Sequence, residues 1–272
     1  MNRLKELLKS KLTKKQFEKL PNAYDIIGDI IIINIDPVLR SREKLIAESL
    51  LETHPNIKVI CKKQDIHKGK YRTQKLKVIA GEKRKETIHR ENNIMLKLNV
   101  ETSYFSPRSG NERKRIAEQV KKGENILVMF SGIAPLPVVL AKNTEAKHIT
   151  AVELNPKAHK YAVENIKLNK ITNVELINAD VRKAKLKDKF DRILMPLPKT
   201  GEQFLPLALA YSKKGTIIHY YDFLMEDEFE QEKNRIREIC RTNKKNCRIL
   251  EIVKCGQYKP YVFRTCTDIQ II

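Results

Sequence analysis

The feature that most constrains the fold is an alternation of apolar and helical segments that begins near residue 125. Apolar runs of strand length lie at 125–130, 148–154, 174–180, 190–195 and 215–221. Most of them are separated by stretches whose apolar residues recur at helical spacing. Strands that alternate with helices are typical of a parallel sheet covered by helices on both faces. We therefore expect an α/β domain with a doubly wound sheet.

The segments on either side of this alternation predict different structures. After a charged helix, residues 247–271 resemble a closing antiparallel hairpin. The stretch from residue 22 to residue 100 is rich in short β-branched runs that are broken by Gly, Pro or polar residues. Helical spacing appears at 38–55 and 111–123. The expected parts are a basic N-terminal helix (1–20), a small α+β module (21–100) and the α/β domain (101–272).

The charge of the chain indicates what it binds. It has 54 Lys and Arg against 33 Asp and Glu, a formal net charge of +21. Such a surplus is typical of proteins that bind nucleic acid, although a Lys-rich proteome of an AT-rich or heat-adapted organism is an alternative explanation. No run approaches the roughly 18 apolar residues that span a bilayer, so we expect a cytoplasmic protein without membrane contact. Five cysteines form no CxxC pair, and no metal site is predicted.

The ends of the first three predicted strands indicate a cofactor. Gly132 follows the first strand and permits a tight turn, but the Gly-x-Gly-x-x-Gly cradle of NAD and FAD enzymes is absent. Glu153 ends the second strand, where a carboxylate can bind both hydroxyls of a ribose. Asp180 ends the third and can meet an adenine edge. These features favour S-adenosylmethionine, bound by Phe130, Ser131, Gly132, Ile133, Glu153, Leu154, Asn155, Asn178, Asp180 and Val181.

A purely structural interpretation of the same acids stays open. Glu153 can cap the helix that starts at Pro156, for which Asn155 is the predicted N-cap. Asp180 can then be an ordinary turn residue.

Several longer motifs resemble a known enzyme family. They are "YFSPRSGNERKRIAEQV", "FSGIAPLPVVLAKN", "AVELNP", "NADVR", "MPLPKTGEQFLPLAL" and "IIHYYDF". The chain after residue 22 resembles the archaeal and eukaryotic methyltransferases that act on N1 of guanosine 37 in tRNA. The resemblance implies a class I methyltransferase domain behind a smaller RNA-facing module, with the tRNA anticodon loop as partner and a monomeric enzyme. Members often carry a further N-terminal domain, which is expected to be missing here.

The resemblance also assigns catalytic roles. Guanine N1 carries a proton and is a poor nucleophile, so its methylation needs a base near N1 and a cation near O6. The family pattern makes Glu112 the base and Arg72 the cation. Arg108 is expected to orient Glu112 or to hold a phosphate. The alternative is that Glu112 and Arg115 form an ordinary solvated ion pair near a helix start.

Two aromatic residues lie beside this motif. Tyr104 and Phe105 can stack on a flipped base or on the adenine of the cofactor, and they are included in the predicted cofactor set together with Arg108. Simple packing of either ring is the alternative.

The end of the fourth strand departs from the family pattern. Related base methylases carry Asn or Asp there, whereas this chain has Met195-Pro196-Leu197-Pro198. No side-chain acceptor remains, and proline offers no N–H. We assign Pro196 to both the catalytic and the cofactor-binding sets, and expect a wider, less polar base pocket.

This pocket leads to a hypothesis of two activities. The first is N1-methylation of guanosine 37, and the second is methylation of the ring carbon of 4-demethylwyosine, as in some archaeal members of the family. The alternatives are an aminocarboxypropyl transferase of the same wybutosine pathway and a non-catalytic tRNA-binding protein.

Overall fold

The computed structural model describes residues 3–65 and 69–272. These residues form two compact units. The first comprises Met1–Arg90 and Met95–Pro107, and the second comprises Glu91–Ile94 and Arg108–Ile272.

The first unit is a small α+β module built on a four-stranded sheet. Its strand order is β1-β2-β3-β4, with β2 and β3 parallel and the outer pairs antiparallel. Two further strands, β5 and β6, pair in a sheet of their own. The elements are α1 (Arg3–Leu8), α2 (Lys14–Glu18), β1 (Asp25–Ile27), β2 (Ile30–Ile33), α3 (Glu43–Thr53), β3 (Val59–Lys63), β4 (Leu76–Gly81), β5 (Glu86–Glu91) and β6 (Ile94–Asn99).

The N-terminal segment is part of the core of this unit. Leu4 and Leu8 of α1 are buried in one cluster with residues of β2 and α3. The single helix expected over residues 1–20 is wrong, because the segment forms two short helices. Thr13 begins the second of them with a capping box, in which its hydroxyl and the Gln16 side chain each bond the other's backbone N–H.

The second unit is the predicted doubly wound α/β domain. Its seven strands have the order β12-β13-β11-β10-β7-β8-β9, and the last hairpin pairs antiparallel with β11. The fold prediction is therefore confirmed. The elements are α4 (Gly110–Gln119), β7 (Asn125–Met129), α5 (Pro135–Asn143), β8 (His148–Glu153), α6 (Pro156–Leu168), β9 (Val174–Asn178), β10 (Phe190–Met195), α7 (Leu205–Ala210), β11 (Ser212–Leu224), α8 (Phe229–Thr242), β12 (Cys247–Lys259) and β13 (Val262–Ile271).

Strand register brings the predicted ligand residues to one edge of this sheet. Met129 lies opposite Val152, and Glu153 lies opposite Asn178, so β7, β8 and β9 end together. The break in strand order falls between β7 and β10, and crevices at such breaks are where α/β sheets bind ligands.

Among the helices that the structure describes, none combines the length and the apolar character needed to cross a membrane.

Candidate active site

The turn after β7 has an unusual backbone. Phe130, Gly132 and Ala134 all have left-handed φ values, of 59°, 58° and 65°. Such φ values are uncommon outside glycine and cluster at ligand sites. They persist only where the surrounding structure holds them. Two hydrogen bonds do so here: the Ser131 N–H donates to the Val152 carbonyl, and the Ala134 N–H donates to the Ser131 carbonyl, both at 2.9 Å.

Glu153 ties this turn to the neighbouring strand. Its Oε2 accepts the Gly132 N–H at 2.6 Å, and its Oε1 accepts the Asn155 N–H at 2.7 Å. Burial raises the pKa of Glu153, and the backbone N–H groups of Asn155 and Gly132 partly offset this. A carboxylate has about four acceptor positions, so both oxygens can still accept ribose hydroxyls. Asn155, not Glu153, is the N-cap of α6, since its side chain accepts the Lys157 N–H.

A buried hydroxyl beside this carboxylate supports the presence of a ligand. Ser131 is 4% exposed, and its Oγ makes no hydrogen bond to any described residue. Buried polar groups are normally paired, so a bound molecule with polar atoms would satisfy it. The turn, the free hydroxyl and the Glu153 carboxylate together fit S-adenosylmethionine.

Asn178 and Asp180 lie at the end of β9 and both form side-chain hydrogen bonds. Asn178 lies next to Glu153 and donates from its amide to the Glu153 carbonyl at 2.7 Å. The Asp180 carboxylate accepts the backbone N–H and the Nε–H of Arg182, each at 3.0 Å. These bonds, led by the Arg182 side chain, lower the pKa of Asp180 to about 2. Asp180 is thus an ionised turn residue bonded to Arg182, its contact with the cofactor stays a prediction, and Val181 and Ile133 are buried.

Replacing Glu153 with Gln should weaken cofactor binding by roughly ten- to a hundredfold. The substitution removes a charged acceptor, and hydrogen bonds to charged groups contribute about 1.5–3 kcal/mol each. Isothermal titration with S-adenosylhomocysteine measures the change. Glu175→Gln is the control, because Glu175 lies on the adjacent strand with a largely exposed side chain. Equal affinities for the two variants would contradict the assignment.

Glu112 lies in the first turn of α4 and is 7% exposed. Arg115 forms two bonds to it, from Nε to Oε2 and from Nη2 to Oε1, both at 2.8 Å. Tyr221 donates its hydroxyl to Oε1 at 2.6 Å. Burial alone would raise the pKa of Glu112, but the bonds from Arg115 and Tyr221 hold it below its usual value. The pair with Arg115 exists, but Glu112 is buried and Arg115 is half-buried, so it is not an ordinary solvated pair.

Strand register relates Tyr221, the hydrogen-bond partner of Glu112, to the end of β10. Tyr220 of β11 lies opposite Met195, the last residue of β10, so Tyr221 is the first residue of β11 beyond that end. The Glu112 carboxylate is therefore bonded to the β11 residue that directly follows the level of the β10 end. Its Oε2 accepts Arg115 Nε, the Cys255 thiol also bonds this carboxylate, and a carboxylate with about four acceptor positions can still accept a further proton donor.

A second layer of buried polar groups holds Arg115. Asp268 of β13 is 3% exposed and accepts Arg115 Nη1 at 2.7 Å and His219 Nδ1 at 2.7 Å. Arg192 Nη1 contacts His219 Nε2 at 2.6 Å. Because a guanidinium group can only donate, Nε2 must accept and Nδ1 must carry the proton. Burial lowers the pKa of His219, in keeping with a neutral ring.

This layer also contains the one group of residues, among those described, that could hold a metal ion. His219, Cys266 and Asp268 place their ligand atoms within 4.8 Å of one another. Both ring nitrogens of His219 are already engaged, and Arg115 and Arg192 bring two positive charges against the group. The arrangement favours a hydrogen-bonded network over cation binding.

The other predicted residues are divided between the two units. Arg72 lies in a turn of the first unit with a left-handed φ of 50°. Tyr104 and Phe105 belong to the same unit, where Tyr104 is exposed and Phe105 packs against the His89 ring with centroids 5.0 Å apart. Arg108 is exposed at the start of the second unit, in the 3₁₀ turn that precedes α4.

The loop after β10 is a tight turn. The Leu197 N–H donates to the Met195 carbonyl at 2.7 Å, so this carbonyl is used within the turn. Pro196 and Leu197 are partly exposed, and no side-chain acceptor stands in the loop before Lys199. Gly201 closes it, because a Cβ there would lie 2.8 Å from the Leu197 carbonyl oxygen.

No sequence pattern predicted a role for Tyr221, Asp268, His219 or Arg192. Two local signals were available. Arg192 interrupts an apolar strand, and a buried arginine needs partners, which here are Glu124 and the Gln119 carbonyl. Tyr221 lies within the "IIHYYDF" motif. Neither signal identifies a partner that is far away in the chain.

Comparison with known proteins identifies the family. Residues 87–250 match the TRM5/TYW2 methyltransferase domain, and residues 4–84 match the TYW2 N-terminal domain. The chain is 40% identical to the Pyrococcus abyssi tRNA (guanine(37)-N(1))-methyltransferase Trm5b, over 93% of this chain and 76% of the relative. It is 36% identical to the Nanoarchaeum equitans tRNA (guanine(37)-N(1))/4-demethylwyosine(37)-methyltransferase Taw22, over 80% of this chain and 89% of the relative.

Two solved structures extend the comparison. An aTrm5–tRNALeu complex superposes with a TM-score of 0.88 at 31% identity, covering 99% of this chain and 78% of that one. Pyrococcus horikoshii TYW2 in complex with MeSAdo superposes with a TM-score of 0.83 at 30% identity, covering 99% and 98%. The bound MeSAdo agrees with the cofactor predicted from the strand ends. The chain belongs to the TRM5/TYW2 family of S-adenosylmethionine-dependent methyltransferases.

Proposed function

We propose that the protein methylates position 37 of tRNA at two stages: N1 of guanosine, and the ring carbon of the tricyclic 4-demethylwyosine. The observation that supports the proposal is the buried Glu112 carboxylate, which is held by Arg115 and by Tyr221, the first residue of β11 past the level where β10 ends. The Nanoarchaeum equitans relative is named for both activities.

Glu112 supplies the base for the first reaction. When bound, the cofactor offers a methyl group on a sulfonium, which is electrophilic. Its transfer to guanine N1 requires that N1 lose its proton, and Glu112 Oε2 is the proposed acceptor. Glu112 is ionised at neutral pH, because its pKa lies below the usual range, and a carboxylate can accept a proton. Arg72 is proposed to stabilise the negative charge that develops on O6.

The proline loop supports the second reaction. Pro196 places no hydrogen-bonding side chain at the end of β10, so the base pocket has less polar grip on a guanine edge than an Asn would give. The tricyclic base is larger and less dependent on such contacts. We also propose that the protein binds the anticodon loop of tRNA. Its proposed functional form is a monomer.

Nucleoside mass spectrometry tests both activities directly. Wild-type protein should add one methyl group to a tRNA-Phe transcript with guanosine at position 37, and one to tRNA that carries the tricycle. Adenosine at position 37 should give no product. Methylation of the guanosine transcript alone would exclude the second activity.

Substituting Pro196 with Asn should separate the two activities. The new side chain adds an acceptor for the guanine edge and narrows the space for a larger base. We expect the rate on the tricycle to fall several-fold more than the rate on guanosine, as measured with both tRNAs. Pro55→Asn, at an exposed turn position to which no role is assigned, is the control. An equal fall in both rates would contradict the role of Pro196.

Aminocarboxypropyl transfer is the second candidate. It is favoured by the match of residues 4–84 to the TYW2 N-terminal domain. The Pyrococcus horikoshii tRNA(Phe) (4-demethylwyosine(37)-C(7)) aminocarboxypropyltransferase is also 31% identical over 99% of this chain and 96% of the relative. The same mass spectra decide, because an aminocarboxypropyl product is much heavier than a methylated one.

A further inference from the structure

An exposed group of aromatic and cationic side chains lies where β11 meets the last hairpin. The rings of Phe223 and Tyr258 pack with centroids 4.1 Å apart and planes inclined by 34°. Lys199 Nζ lies 5.0 Å from the Tyr258 ring centre and 5.8 Å from that of Phe223. Tyr258 is 50% exposed, and Tyr261 in the hairpin turn is 82% exposed. We name these four residues the aromatic ledge.

The aromatic ledge projects beyond the edge of the sheet that holds the candidate site. Tyr220 is level with the end of β10, so β11 continues four residues past it to Leu224. Phe263 pairs with Leu224 and also with Gln257, which carries the hairpin turn further in the same direction. At roughly 3.3 Å per residue, Phe223 lies about 10 Å beyond the end of β10, and the hairpin residues of the ledge lie further out.

Lys199 gives the aromatic ledge a positive charge. Its ammonium bonds the Tyr258 hydroxyl at 2.9 Å, and this neutral partner does not cancel the charge. The residue itself has a left-handed φ of 78°, and its N–H donates to Asp222 Oδ1 at 3.3 Å. A lysine is costly in this conformation. The fold nevertheless holds Lys199 here, three residues after Pro196, so the ledge directly continues the proline loop.

We propose that the aromatic ledge binds unpaired nucleotides of the anticodon loop that flank position 37. Exposed aromatic faces next to a cation are what single-stranded nucleic acid requires: bases stack on the rings and a phosphate meets the charge. A base stacked on Tyr258 would hold the loop open while its neighbour enters the pocket at the end of β10. The inference rests on the proposed function and adds a contact that positions the substrate away from the reacting atoms.

Tyr258→Ala should raise the KM for tRNA and the Kd for an anticodon stem-loop RNA by about tenfold or more, because stacking contributes roughly 1–3 kcal/mol per base. The value of kcat at saturating tRNA should stay within about twofold. Tyr258→Phe keeps the ring and should bind within about threefold of wild type. Leu250→Ala is the matched control, since Leu250 is 49% exposed on the same strand near its opposite end, and it should leave both constants unchanged.

Two further measurements distinguish a lost RNA contact from misfolding as the cause of weaker RNA binding. Lys199→Gln should lower the slope of log Kd against log salt by about one, as expected when one phosphate contact is lost. A stem-loop with 2-aminopurine next to position 37 should show fluorescence quenching with wild type and Tyr258→Phe, but not with Tyr258→Ala.

The outcomes separate this inference from the proposed function. If wild-type protein modifies neither tRNA, the proposed function fails. The second case is a wild-type protein that modifies tRNA, with Tyr258→Ala and Lys199→Gln variants that bind RNA as well as Leu250→Ala does. That result overturns RNA binding by the aromatic ledge and leaves the proposed function standing.

Discussion

Replacing Glu112 with Gln lowers kcat for N1-methylation of guanosine 37 by an expected 10²–10⁴-fold, the usual contribution of a positioned general base. Gln keeps the shape and can still accept from Tyr221, but it cannot take a proton from N1. Cofactor affinity should be unchanged, because Glu153 and the turn after β7 are untouched. Single-turnover methylation with labelled S-adenosylmethionine measures the rate.

Glu118 provides the control for this experiment. It lies on the same helix and has a side chain that is 64% exposed, paired only loosely with Lys114 at 3.8 Å. Glu118→Gln should therefore retain full activity. A Glu112→Gln enzyme that keeps more than about one third of the wild-type rate would show that another group accepts the proton.

Replacing Asp268 with Ala should lower the free energy of unfolding by about 3–5 kcal/mol, the usual effect of removing one partner from a buried ion pair. Asp268 is the common acceptor of Arg115, Gln119 and His219. Without Asp268, the half-buried Arg115 guanidinium loses one of the two carboxylates that it bonds. Urea unfolding followed by circular dichroism measures the loss. Asp227→Ala, at an exposed position before α8, should change stability by less than about 0.5 kcal/mol.

The same contacts predict how this stability depends on pH. Burial would raise the pKa of Asp268, but hydrogen bonds from His219 and Arg115 hold it far below its ordinary value. A carboxyl with a depressed pKa in the folded state stabilises fully above its unfolded pKa, about 3.9. The contribution is lost as pH falls below that value. The difference between wild type and Asp268→Asn should thus be constant from pH 7 to about pH 5 and shrink below about pH 4. A difference that stays constant down to pH 2 would show that the Asp268 charge is not its source.

The edge that carries the candidate cofactor residues was largely predictable, because these residues follow strand ends that local patterns reveal. Gly132, Glu153 and Asn178 were named from the sequence, and parallel register brings their strand ends together. The base side was predictable only in part. Glu112 and Arg115 are three residues apart on one helix. Tyr221, which bonds the buried Glu112 carboxylate, is 109 residues from Glu112 along the chain.

Two elements of the first unit could not be predicted from local sequence patterns. The strand at Glu86–Glu91 has too few apolar residues to be recognised, and its pairing with the following strand forms it. The N-terminal segment resembles one amphipathic helix, but the capping box at Thr13 breaks it into two.

By itself, the sequence determined the α/β class, the cofactor edge and the family, since these follow from periodicity and from motifs within a few residues of one another. Only the tertiary structure decided that Glu112 is buried and ionised, and that Lys199 joins Phe223 and Tyr258 at the surface. Arg115 and Asp268 are 153 residues apart. The physical reason is that burial and charge pairing depend on contacts across the sheet, and the spacing of residues along a chain contains no information about which distant strands become neighbours.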